Sequence, residues 1–211
     1  MRVLVTAGGT SEPIDDVRVL TNTSTGRLGA CLAEAFARAG HQVTLLHARA
    51  AALPAAPEVA LVPFGSHADL AQALEAHVPG CDVVLHAAAV SDYVPERSAG
   101  KLSSDQDELV LRLRRAPKLI DRLRDLAPEA LLVGFKLTSG RSEDERLTIA
   151  RELLRRARLD LVVANEAAHT GPEDHAVLVV GADDHQAGGG GKAAVAQLLR
   201  ERVERARSPV G

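Results

Sequence analysis

Short apolar runs separated by stretches of helical spacing constrain this chain more than any other feature. RVLVTA (2–7), QVTLLHA (42–48), DVVLHAAAV (82–90), LLVGFKL (131–137), LVVAN (161–165) and AVLVV (176–180) read as buried strands, and a further strand is predicted at 58–63. Helical patterns occupy 27–39, ending at Gly40, then Ser66–His77 behind a good N-cap, 117–126 behind Pro117, Glu143–Arg158 and 193–206. Strands alternating with helices of about ten residues or more build βαβ units, a mainly parallel sheet and right-handed crossovers. The segment ELVLRLR (108–114) alternates strictly and has no helix before it, so it is expected to be an antiparallel or edge element. The expectation is an α/β chain: one Rossmann-like, mainly parallel sheet flanked by helices, with an antiparallel edge element.

The core of such a fold must come from Ala, Val and Leu. Of 211 residues 46% are hydrophobic, yet the only aromatics are Phe36, Phe64, Tyr93 and Phe135. That apolar content excludes a disordered chain, and no run approaches the ~18 residues of a membrane span. Met1-Arg2-Val3-Leu4-Val5 enters a strand pattern at once, which leaves no room for a signal peptide. With a net charge of −3, mixed signs along the chain and four scattered aromatics, nothing marks a nucleic-acid surface. Cys31 and Cys81 stand apart without a C-x-x-C, as in a reduced, cytoplasmic protein. Eight histidines show no H-x-x-H pairing, so no metal site is expected.

Ligands of open α/β sheets bind beyond the carboxyl ends of the strands. Gly8-Gly9-Thr10 follows the first strand without the G-x-G-x-x-G of a dinucleotide fingerprint. Next comes Arg18-Val19-Leu20-Thr21-Asn22-Thr23-Ser24-Thr25-Gly26-Arg27-Leu28-Gly29, hydroxyl and glycine residues at a helix start. It is either an anion site or an ordinary helix cap in a loop. In AAAVSDY, Ala87–Ala89 permit close approach of a ligand and Asp92 either faces it or caps a turn. Lys101, in SAGKLSS, is a phosphate-reaching ammonium or a solvated charge. Phe135, beside Gly134, stacks on a base or packs under a helix. Gly188–Gly191 with Lys192 imitates a P-loop but has Gln186 and Ala193 at the required Gly and Ser/Thr positions, and reads as a flexible turn. A nicotinamide-dependent reductase of this fold is disfavoured, because Tyr93 is followed by Arg97 rather than by a Lys.

Taken in order, AGGTSEPIDDVRVLTNTSTGRLG, AAAVSDY, GKLSS, APKLI, VGFKL and LDLVVAN resemble the phosphopantothenate–cysteine ligases over about residues 2–165, with a weaker continuation to the last helix. The chain resembles the free-standing form, without a decarboxylase module in front. The resemblance implies a single nucleotide-binding ligase domain over 1–211 that activates 4′-phosphopantothenate as an acyl-nucleotide, releases pyrophosphate and forms an amide with cysteine. It implies Mg²⁺ and CTP. Leu153 and Ala157 stand near positions where fused bacterial enzymes carry lysines, so ATP stays open beside CTP. It also implies roles for particular residues. Asn22 would hold and convert the acyl intermediate, and Lys101 would help form it. Gly8, Ser24, Gly26 and Gly29 would contact phosphates, and Phe135 and Asn165 the base and ribose. Ala88, Ala89 and Asp92 would line the shared pocket, and Pro117, Lys118, Leu119 and Ile120 would add nucleotide contacts. Arg18 would come from a neighbouring subunit, implying a homodimer with composite sites. An inactive nucleotide-binding paralogue is the non-enzymatic alternative.

Overall fold

The six long apolar runs become neighbouring strands because each is greasy on both faces and must be covered twice. A computed structural model describes residues 1–103, 105, 107–170 and 175–207, the side chains of residues 169 and 170 excepted. In chain order the elements are β1 (Arg2–Ala7), β2 (Ser11–Pro13), β3 (Val19–Thr21), α1 (Arg27–Arg38), β4 (Gln42–Ala48), β5 (Ala60–Phe64), α2 (His67–His77) and β6 (Val83–His86). Then follow β7 (Tyr93–Pro95), β8 (Leu113–Arg115), a 3-10 turn (Leu119–Arg122) running into α3 (Leu123–Leu126), β9 (Leu131–Thr138), α4 (Glu143–Arg156), β10 (Leu161–Thr170), β11 (His175–Val180), β12 (His185–Gly188) and α5 (Lys192–Arg207).

Among the described residues one eight-stranded sheet runs in the order β12-β11-β10-β9-β6-β1-β4-β5. The six strands from β5 to β10 are parallel, and β11 and β12 are antiparallel. The strand period of two divides each run between two layers. Val3, Val5 and Ala7 of β1 join Leu32, Phe36, Val195 and Leu199 on the α1/α5 side. Leu4 joins Leu70, Leu123 and Ala150 on the side of α2, α3 and α4. Each layer holds one fully buried aromatic, Phe36 in the first and Phe64 in the second. Ser66 and Ser142 start α2 and α4 with reciprocal capping boxes to Asp69 and Glu145, which satisfies two orphan donors at each end. No helix among the described residues is long and apolar enough to cross a membrane.

The fold class, antiparallel edge element included, is borne out, and two finer expectations are corrected. ELVLRLR is antiparallel, but only its end forms β8, and that strand pairs with β7 in a separate two-stranded ribbon. The antiparallel edge of the main sheet is instead β11–β12, whose last strand HQAG carries too little apolar signal to be read. The helix expected at 117–126 starts only at Leu119, because Lys118 is extended (φ −78°, ψ 108°), and it is a 3-10 turn followed by a single α-helical turn. The β2–β3 hairpin was also not legible, since it is three residues per strand. Ser104 of the GKLSS segment lies outside the described residues.

Two buried polar groups lock the sheet's centre. The Thr6 hydroxyl meets His86 Nδ1 at 3.1 Å and accepts the Ala88 N–H at 2.9 Å. Burial holds the His86 imidazole neutral, with its pKa pushed down from 6.5 to about 4. The unfolded chain therefore binds more protons across that window. Stability is complete above about pH 6.5, declines as pH falls towards about 4, and a difference of this size corresponds to ~3 kcal/mol. Urea unfolding at about pH 7 and about pH 4.5 should show this loss. His86→Leu should shrink the difference between the two pH values by about 2 kcal/mol; an unchanged difference would assign the acid sensitivity elsewhere.

Candidate active site

The chain reverses its direction of travel across the sheet at β1. From there α1 leads to β4 on one side, and α2 later returns the chain from β5 to β6 on the other. Loops leaving in opposite directions open a crevice at such a point. Its floor is built by main-chain bonds beyond the regular strands. The Gly8 carbonyl accepts the Ala89 N–H (2.8 Å), and the Ala89 carbonyl accepts from the Thr10 N–H (3.2 Å) and from Asn22 Nδ2 (2.9 Å).

One wall is the first turn of α1. Gly26 caps it in the left-handed region (φ 71°), and among the described residues no side-chain cap bonds its first N–H groups. Ser24 and Thr25 thus do not act as ordinary caps, and no acidic residue occupies the first turn. Gly29 lets the helix press on the sheet: an added Cβ would stand 2.4 Å from the Ala7 Cβ. The result is a helix N-terminus, with its partial positive charge, held directly over the carboxyl end of β1.

A cleft of about 420 Å³ lies in front of it. It gathers eight of the sequence candidates: Asn22, Ser24, Gly26, Gly29, Ala88, Ala89, Phe135 and Asn165. Phe135 and Leu137 project from one face of β9, and Asn165 of β10 is paired across from Leu137. Next to Asn165, β10 is fixed by the buried Glu166, which accepts from Thr138 Oγ1 (2.8 Å) and the Gly140 N–H (2.7 Å). Burial alone would raise that carboxyl, but these bonds hold it below the usual range.

The other candidates lie outside this lining. Gly8 is packed against Ala48 and Ala51. Asp92 and Lys118 form an ion pair with each other, and the Pro117 carbonyl accepts from His67 Nε2 (2.8 Å). Leu119 is buried and Ile120 half-buried in the second layer, where Leu153 and Ala157 of the α4 region also pack. Arg18 and Lys101 belong to one tethered unit. Asp15 accepts the N–H groups of Val17 (2.8 Å), Arg18 (2.6 Å) and Leu102 (3.0 Å), and pairs with Arg18 Nη1 (2.9 Å). Burial pushes its carboxyl up, but those three N–H groups and the guanidinium bring it below the usual carboxylate range. Asp15 so ties the Lys101 loop to the β2–β3 hairpin.

Sequence reasoning missed Lys192, His175 and the role of Arg27, all of which line the cleft. Arg27 lies inside the hydroxyl-rich motif, and Lys192 was set aside with its glycine run. Unread β12 hid the fact that this run brings the start of α5 to the cleft. Burial first, and then the Arg27 charge, pull the Lys192 ammonium below its usual range. No carboxylate lines the cleft among the described residues. Two cations and a bare helix N-terminus make it a site for a polyanion. Lys192→Met should weaken binding of inorganic triphosphate in calorimetry by about tenfold or more. Lys136→Met, on the opposite face of β9, should leave it unchanged.

Residues 1–206 match the family described as DNA/pantothenate metabolism flavoprotein C-terminal domain. The coenzyme A biosynthesis bifunctional protein CoaBC of Thermococcus kodakarensis is 42% identical over 185 residues, covering 86% of this chain and 45% of that protein. CoaBC of Methanocaldococcus jannaschii is 32% identical over 206 residues, 97% of this chain and 50% of that protein. The chain thus spans about half the length of these curated relatives. The crystal structure of the DNA/pantothenate metabolism flavoprotein from Streptococcus pneumoniae matches with a TM-score of 0.92 and 31% identity, over 98% of this chain and 100% of that one. The chain belongs to the family of DNA/pantothenate metabolism flavoprotein C-terminal domains.

Proposed function

We propose that this chain is a phosphopantothenate–cysteine ligase of coenzyme A biosynthesis, with residues 1–211 acting as one nucleotide-binding ligase domain. The observation that carries this reading is the convergence, in one cleft, of Asn22, the bare α1 N-terminus, Arg27, Lys192, Phe135 and Asn165. The names of the CoaBC relatives support it. In the first step a carboxylate oxygen of 4′-phosphopantothenate attacks the α-phosphorus, and the bond to pyrophosphate breaks. In the second, the cysteine amine bonds to the acyl carbon. The carbon–oxygen bond to the nucleotide phosphate breaks with its electron pair, and the proton shed by nitrogen passes to water.

The α1 N–H groups and the two cations hold the phosphates, Phe135 takes the base and Asn165 the ribose. Asn22 has two amide donors. One is held by the Ala89 carbonyl, which aims the other at an acyl oxygen where negative charge develops. Donors fixed before reaction in this way are worth about 10²–10³ in rate. Lys101 serves the first step as the cation that comes over the triphosphate from the 100–103 loop. CTP is the favoured nucleotide, with ATP open. Among the described residues the cleft lining has no carboxylate; a Mg²⁺ ion would be carried in on the nucleotide's phosphates, where it would offset their charge. The free thiols of Cys31 and Cys81 suit a reducing cytoplasm.

We assign Arg18 to the pantothenate side of a neighbouring copy, in a homodimer with composite sites. The hairpin that carries it exposes Val17 (63%) and Val19 (56%), an apolar tip suited to a protein interface.

Incubation with phosphopantothenate, cysteine, Mg²⁺ and either CTP or ATP should release pyrophosphate; silence with both nucleotides would overturn the reading. Asn22→Asp puts a carboxylate where a donor is needed. It should release pyrophosphate in a stoichiometric burst yet form no amide, whereas Lys101→Gln should slow the burst itself. Equal loss of both steps in both variants would remove these roles. Mixing inactive Arg18→Ala and Asn22→Asp chains should restore activity, because each mixed dimer then carries one intact site. No recovery would argue against composite sites.

A further inference from the structure

Asn22 and Ser24 line a second, smaller cavity as well as the nucleotide cleft. It measures about 200 Å³ and lies at the carboxyl ends of β4 and β5, on the far side of the Asn22 segment. Its floor is apolar and shallow, made by Ala48, Ala51 and Phe64. Its polar rim holds Ser11 and Thr21, whose hydroxyls are linked at 3.0 Å and anchored to the Thr10 carbonyl at 2.8 Å. The cation among its lining residues is Arg49. The main-chain N–H of Arg49 is held by the Phe64 carbonyl (3.2 Å), which fixes the residue at the cavity wall. A side chain at Gly65 would reach within 3.7 Å of Arg49 Nε and 2.9 Å of the Asp69 carboxylate, so glycine there keeps this corner open. Arg49 directly follows the end of β4 at Ala48.

We propose that this cavity is the subsite of the amino-acid substrate, with Arg49 taking its α-carboxylate. The inference rests on the ligase reading above and extends it. An amide-forming site must hold a small zwitterion beside the acyl carbon without placing it among the nucleotide phosphates. The cavity meets three demands of such a molecule at once. A guanidinium matches the carboxylate in a bidentate fork, an Ala/Phe floor receives the thiol-bearing side chain, and the Asn22 edge leaves the amine next to the group assigned to the acyl oxygen. The 4′-phosphopantothenate chain is far longer than an amino acid and is poorly matched to a space of this size. Its phosphate is nevertheless the competing anion for Arg49, and the test separates the two.

The experiment compares wild type with Arg49→Gln and Arg49→Lys in three measurements. Pyrophosphate released from nucleotide and phosphopantothenate without cysteine should be unchanged in both variants. The KM for cysteine should rise about tenfold or more in Arg49→Gln, with partial rescue in Arg49→Lys, while the KM for phosphopantothenate stays constant. Wild type should prefer cysteine to cysteamine, which lacks the carboxylate, and Arg49→Gln should lose that preference. An unchanged cysteine KM, or an intact preference in Arg49→Gln, overturns the proposal. A raised phosphopantothenate KM with a weakened burst would place the phosphate in this cavity and overturn it too. Absence of any pyrophosphate from wild type would instead overturn the ligase reading, and the subsite with it.

Discussion

The close approach of α1 to β1 is the constraint on which the rest of this molecule depends. It exists because Gly29 has no Cβ to strike Ala7 and because Gly26 can turn the chain in the left-handed region. Any side chain at either place would lift the helix or force a different entry. Once the helix is seated, its free N–H groups point over the carboxyl end of the sheet, and the loop ahead of it must cross the switch point. That crossing sets Asn22 against the Ala89 carbonyl. The helix also completes the first core layer together with α5, so the same contact serves stability and site.

From this seat the segment 22–24 becomes a partition. On one side lies the cleft with Arg27 and Lys192, and on the other the small Arg49 cavity. The partition is held from outside by the β2–β3 hairpin. Glu12 is buried there and accepts the His67 N–H at the start of α2 (2.9 Å), while Asp15 gathers the hairpin turn and the Lys101 loop. Charge is therefore distributed in a consistent way. Acids tie loops to the scaffold, and cations face the spaces where anionic substrates are proposed to bind.

Much of the fold was legible because burial on both faces produces continuous apolar runs. β1, β4 and α1 fall within a residue of their expected bounds. The elements that were misread share a physical cause. β12, β2 and β3 are short, β12 and β2 are polar, and β3 and the ribbon strand β8 are exposed. Their pairing is set by neighbours distant in the chain rather than by their own composition. The site divides in the same way. Asn22, Ser24, Gly26 and Gly29 lie within one motif and were read together, as were Phe135 and Asn165 at strand ends. Lys192 sits in a failed P-loop pattern, and no motif includes Arg49, because nothing in a linear pattern says which loops converge.

The sequence by itself determined the βαβ rhythm, the glycine-permitted helix entry and the hydroxyl-rich motif, since these follow from local sterics and from which residues water rejects. The register of β11 and β12, the meeting of Arg27 with Lys192 and the placing of Asn22 between two cavities were decided only by tertiary structure. The reason is distance along the chain: residue 22 touches residue 89, and residue 192 reaches the cleft beside residue 27. Such contacts carry no periodic signature, because they arise only when the sheet order brings their loops to the same edge.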